Sequence, residues 1–72
     1  MKRIAQTLGQ NVRTQRLHLG LTQEALSEKA GIHCTFIGHI ERGSKLPSLR
    51  VLSRIAGALG TTLSDLLRGA SR

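Results

Sequence analysis

The sequence predicts an all-α fold, a compact five-helix bundle, and three observations carry that prediction. Its apolar residues are mostly Leu, Ile and Ala, with a single aromatic, Phe36, and a single proline, Pro47. That composition favours helix over sheet. Apolar positions recur at offsets of three, four and seven, the period of a half-buried helix. Glycine or Ser/Thr stands at the ends of the periodic stretches, where helices stop and are capped. At 72 residues the chain reads as one domain over residues 1–72, with its core between about 4 and 68. So short a chain buries only about 60–65% of its unfolded surface.

Met1, Lys2 and Arg3 read as a loose basic start. The first helix is expected from Ile4 to about Leu19, with Ile4, Leu8, Val12 and Leu19 along one stripe and Ala5 beside it. Gln6, Gln10, Arg13 and Gln15 lie off that stripe, and Gly20 is a good stop. Thr22 is placed to cap a second helix from about Gln23 to Ala30. Its inner face is Ala25, Leu26 and Ala30, with Leu21 packing just ahead of the cap. Glu24, Glu28 and Lys29 suit the helix dipole.

Gly31 turns the chain into a third helix, expected from about His33 to Glu41. At 100° per residue, Phe36, Ile37 and Ile40 gather on one side, helped by Ile32, and Cys34, Thr35, Gly38 and His39 on the other. Gly43 stops it, and Ser44 to Ser48 form a loop with Leu46 as an anchor. A fourth helix starts around Ser48, behind Pro47, and ends at Gly60. Its core stripe is Leu49, Leu52, Ala56 and Leu59, with Ile55 at the edge and Arg50 and Arg54 toward solvent. Thr62 followed by Asp65 resembles a capping box, opening a short fifth helix from Leu63 to about Arg68. Gly69 to Arg72 reads as a frayed tail.

Charge narrows the function. Eleven Lys/Arg against four acids give a formal net charge of +7. Such an excess marks a nucleic-acid partner, because each phosphate contact releases condensed counterions. A membrane partner is disfavoured: no apolar run reaches even about ten residues, and no amphipathic stripe carries Trp or Phe anchors. No small-molecule ligand or cofactor is evident. One cysteine cannot form an internal disulfide and suits a reducing, cytoplasmic setting. An enzyme is not expected, since no phosphate loop, carboxylate pair or pocket-forming length is present. Nor is a metal site: His33, Cys34 and His39 diverge around the third helix.

The segment that organises the rest is Gln23 to Gly43, QEALSEKAGIHCTFIGHIERG. Two short helices joined at Gly31, over about 23–41, in a strongly basic chain form a helix-turn-helix DNA-binding pattern. Gly20-Leu21-Thr22-Gln23, Ala30-Gly31, Ile40-Glu41-Arg42-Gly43 and Pro47-Ser48 stand at specific spacings, with Arg16, Leu26, Ile37, Leu52, Ile55-Ala56, Ala58-Leu59-Gly60 and Leu66-Leu67 between and beyond them. On these residues the chain, from about Leu8 to Leu67, resembles the Cro/phage-repressor (XRE-like) class of regulators, with its lambda-repressor-like fold.

That resemblance implies site roles. Base contacts fall to His33, Cys34, Thr35, Gly38 and His39, a set without the long bidentate readers common in the family. Phosphate contacts fall to Arg16, Thr22, Gln23, Arg42, Ser44 and Lys45. Arg16 and Glu41 match a largely buried structural ion pair joining the first helix to the reader helix. Gly38 is expected to give a flat surface that approaches DNA closely. A single short helix reads too few base pairs for specificity. A two-fold homodimer on a palindromic operator is therefore expected, through an exposed apolar patch of Val51, Ile55, Ala58, Leu63 and Leu66. Short chains of this kind resemble restriction-modification controller proteins, which bind their own promoter, and small phage repressors. The alternative is an antitoxin using the same fold.

Overall fold

The computed structural model describes residues 2–70. Five α-helices follow in order: α1 Lys2–His18, α2 Gln23–Ala30, α3 Cys34–Glu41, α4 Leu49–Leu59 and α5 Leu63–Leu66. Met1, Ser71 and Arg72, parts of the expected loose start and frayed tail, lie outside the described residues. Lys2 and Arg3 are already helical, since neither residue type resists helix formation. The α1 end is closed by Gly20 at φ 71°, with the Leu21 N–H donating to the Arg16 carbonyl at 3.1 Å.

Side-chain oxygens start the other helices. Thr22 Oγ1 accepts from the Ala25 N–H at 3.0 Å, Ser48 Oγ from Val51 N–H at 3.2 Å and Thr62 Oγ1 from Asp65 N–H at 3.0 Å. Each satisfies one of the donors that a helix N-terminus leaves unpaired. The third helix starts one residue later than its pattern suggests, because His33 is its cap and not its first turn. The reciprocal half of the expected capping box is absent. The Asp65 carboxylate instead accepts from Thr61 Oγ1 at 3.0 Å and from Arg68 at 2.7 Å. The fifth helix is also shorter than expected, ending at Leu66. Its free carbonyl end is held by Asn11, whose amide donates to Leu66 O at 2.8 Å and Arg68 O at 2.9 Å. Asn11→Ala is expected to cost about 1–2 kcal/mol in denaturant unfolding, one modest contribution per lost hydrogen bond.

One core joins all five helices: Leu8, Val12, Leu26, Ala30, Ile37, Ile40, Leu52, Ile55, Ala56, Leu59 and Leu66. Leu21, Ile32 and Phe36 pack against it partly buried. Helix α3 lies against α1 and α2, α2 against α4, and α5 against α1 and α4. Two expected core leucines, Leu19 and Leu49, and the expected loop anchor Leu46 are not in it: they are 53%, 71% and 45% exposed. In their place Ile55, read from the sequence as an edge residue, is fully buried. Leu19 lies past the end of α1 and Leu49 is the first residue of α4, positions where a helix stripe runs out of neighbours.

Candidate nucleic-acid interface

Gly31, at φ 69° and ψ 36°, makes the turn between α2 and α3, a left-handed conformation that glycine adopts without a Cβ clash. Its N–H donates to Ser27 O, and Ile32 N–H reaches the same carbonyl at 3.0 Å. The α3 axis is therefore set close to the end of α2. Ile37 and Ile40, both fully buried, seat the inner face of α3.

A buried ion pair fixes α3 from the other side. Arg16 Nε donates to Glu41 Oε2 at 2.6 Å and Nη2 to Oε1 at 3.0 Å, a two-pronged contact. Arg16 Nη1 donates to the Leu21 carbonyl at 2.7 Å. Glu41 Oε1 accepts a further bond from Gln23 Nε2 at 3.0 Å. One carboxylate thus joins α1, the first residue of α2 and the last of α3. The bond to Glu41 raises the Arg16 pKa above its already high ordinary value, outweighing the opposing desolvation. Arg16 is 7% exposed and its donors are turned inward. The expectation that it also contacts phosphate is therefore corrected; it braces the reader helix.

A second close approach was not legible in the sequence. Gly9 of α1 is buried against the end of α3. A Cβ there would overlap the Ile40 carbonyl oxygen and come within 2.8 Å of the Glu41 oxygen. No periodicity argument distinguishes Gly9 from a tolerated helical glycine. Gly38 is corrected in the opposite sense. It is buried, with Arg42 Nη1 at 3.3 Å and Gln23 Oε1 at 3.6 Å from where its Cβ would stand. It makes room for those two side chains and presents no open surface of its own.

The remaining expected base-contacting residues stand at the cap of α3 and along the helix. His33 and Thr35 are exposed, and Cys34 and His39 are half-buried. His33 Nδ1 accepts from the Thr35 N–H at 3.2 Å. His39 Nδ1 meets Arg42 Nη2 at 3.0 Å, and the His39 carbonyl accepts from Ser44 Oγ at 3.0 Å. Arg42, Ser44 and Lys45 are exposed just beyond α3. Thr22 is exposed at the start of α2 and keeps its hydroxyl proton free of the capping bond. Gln23, half-buried, spends one amide hydrogen on Glu41. Arg54, expected in solvent, is exposed yet reaches the Gly31 carbonyl at 3.5 Å across the turn.

The apolar patch is partly corrected. Ile55 and Leu66 are fully buried and close the core of the single chain. Val51, Ala58 and Leu63 pack against that core with part of their surface left open. Among the described residues no cluster of three or more His, Cys, Asp or Glu side chains is arranged to hold a metal. No helix among them is long and apolar enough to cross a membrane.

A short, rigidly braced helix, presented beside a helix N-terminus and flanked by exposed basic residues, defines a helix-turn-helix DNA-binding domain. The helix-turn-helix family model HTH_3 matches residues 12–66, and the chain belongs to that family of XRE-type DNA-binding transcriptional regulators, which are not enzymes. It is 41% identical over 64 residues to control protein C.SmaI of Serratia marcescens, covering 89% of this chain and 76% of that one. It is 39% identical over 61 residues to the immunity repressor protein of Bacillus phage phi105, covering 85% and 42% of the two chains. The fold superposes on the crystal structure of the restriction-modification controller protein C.AhdI from Aeromonas hydrophila with a TM-score of 0.84. The two are 32% identical, with 86% of this chain and 94% of the other covered.

Proposed function

We propose that this protein is a sequence-specific regulator that binds a palindromic operator as a two-fold homodimer and controls its own promoter. The observation that carries the reading is the Arg16–Glu41–Gln23 network, which holds α3 at one angle while its outer side stays accessible. A helix fixed in this way can enter a major groove in a single register. Similarity to control protein C.SmaI and to C.AhdI supports a controller role.

In this reading His33, Cys34, Thr35 and His39 meet base edges. Thr22, Gln23, Arg42, Ser44 and Lys45 hold phosphates, Gln23 through its second amide hydrogen and the open N-terminus of α2. The dimer contact uses Val51, Ala58 and Leu63, and half-sites lie about one helical turn, roughly 10 bp, apart. Few long side chains reach the bases, so operator shape carries part of the specificity.

Footprinting on the DNA upstream of the protein's own gene tests this. Protection of a two-fold site is expected, and equal affinity for random duplex at moderate salt would overturn the reading. Two variants separate the roles. Lys45→Ala should weaken all sequences and reduce the slope of log K against log salt by about 1. Thr35→Ala should leave the slope unchanged and relax preference at one base pair. Leu63→Glu should sediment as a monomer if the dimer contact is as proposed.

A further inference from the structure

The two histidines of the reader surface have the same ring nitrogen engaged by a donor. His33 Nδ1 faces the Thr35 backbone N–H at 3.2 Å. A backbone N–H cannot accept, so Nδ1 must be the unprotonated nitrogen of that ring. His39 Nδ1 faces Arg42 Nη2 at 3.0 Å. Arginine has five N–H donors and no acceptor, so the same holds for His39. A neutral imidazole carries one proton, which is then on Nε2 in both rings. The hydrogen bond that one nitrogen makes decides what the other can offer. In His33 the decision is a by-product of capping α3, and in His39 it is made by Arg42.

We propose that His33 and His39 are held as Nε2–H donors, and that they read acceptor atoms on the major-groove edge, guanine above the other bases. The inference rests on the DNA-binding reading and names the chemistry of its target. Guanine presents N7 and O6, both acceptors. Thymine presents a single acceptor, O4, beside a methyl that a polar ring does not match; adenine sets an N6 amino donor beside N7, and cytosine offers an N4 donor. A ring that can only donate is matched by guanine and repelled by the amino groups. Arg42 is the positioning residue for His39: one N–H sets the tautomer, and its other donors remain for a phosphate.

Nitrogen-15 NMR of the full-length protein without DNA reads the tautomers directly. In neutral His33 and His39, Nδ1 should appear unprotonated and Nε2 protonated. Arg42→Ala should release His39 into a tautomer mixture and leave His33 unchanged. Selection from randomised duplexes then reads the target. The parent protein should enrich G·C pairs at two positions of each half-site. Replacing such a guanine by adenine should weaken binding on the order of tenfold, the scale of one mismatched base pair. His39→Ala should remove the preference at one position. His33→Asn, which keeps a capping acceptor, should alter it at the other. A protonated Nδ1 in either neutral ring, or variants that keep both guanine preferences, would overturn the inference and leave the DNA-binding reading intact. Failure to enrich any duplex, with the tautomers as expected, would overturn the DNA-binding reading and the guanine assignment with it.

Discussion

Glu41→Ala is expected to destabilise the protein by about 3–5 kcal/mol, because it leaves the Arg16 guanidinium buried without its counter-charge. Glu41 is 8% exposed and Arg16 7%, so water cannot replace the lost carboxylate. A domain of 72 residues holds only about 4–11 kcal/mol of total stability. The loss therefore consumes much of the margin. Thermal unfolding should show it as a fall of well over about 10 °C in Tm, at roughly 4–8 °C per kcal/mol for a chain of this size. Arg16→Lys should not restore the parent's behaviour, since an ammonium cannot make the paired Nε and Nη2 contacts or reach Leu21 O at the same time. The double replacement Arg16→Met with Glu41→Leu separates stability from positioning. Apolar residues of similar volume are expected to leave unfolding near neutral, as buried pairs replaced together often do. Gln23 would still lose its acceptor. Operator affinity in that variant should fall while Tm holds, because the α3 angle is no longer fixed by hydrogen bonds.

Gly9→Ala carries the second large effect, and its sign is opposite to what local propensity gives. Within a helix, alanine is favoured over glycine by about 1 kcal/mol. Here the added Cβ meets the Ile40 and Glu41 carbonyl oxygens, backbone atoms that cannot turn aside. Forcing extra volume into such a contact costs about 1–3 kcal/mol or more, and α1 must move away from α3. Net destabilisation of a few kcal/mol is expected in denaturant unfolding, with operator binding weakened beyond the loss of folded protein. Gly57→Ala is the matched control. Gly57 is also within a helix, α4, but nothing lies within 4 Å of its Cβ position. That change should stabilise the protein by about 0.5–1 kcal/mol. If Gly9→Ala and Gly57→Ala gave the same sign, the close approach of α1 to α3 would be wrong.

Much of the scaffold was legible because its causes are local. Thr22, Ser48 and Thr62 cap helices through oxygens that reach two or three residues along the chain. Gly31 turns the motif through its own φ. Leu8 with Val12, Leu26 with Ala30, and Ile37 with Ile40 repeat at the helix period and lie in the core. The proposed reader set of His33, Cys34, Thr35 and His39 is implied by the family resemblance. The partnership of Arg16 and Glu41, 25 residues apart, was implied by the resemblance alone, because no local spacing brings such residues together.

The sequence by itself therefore determined the helices, the Thr22 and Thr62 caps, most of the core and the class of protein. Only the tertiary structure decided which side of an ambiguous stripe turns inward. Ile55 and Leu49 lie roughly 50° and 70° to either side of the line through Leu52 and Leu59. The first is fully buried and the second 71% exposed. Tertiary structure also decided that Gly9 has to be glycine while Gly57 does not, and that Gly38 lies beneath Arg42 and Gln23. It set the hydrogen-bond partners of His33 and His39, and for His39 that partner depends on how Arg42 folds back along α3. The physical reason is common to all of these. Periodicity fixes the direction of a side chain from its own helix axis, whereas burial and hydrogen bonding depend on what the neighbouring helix places there.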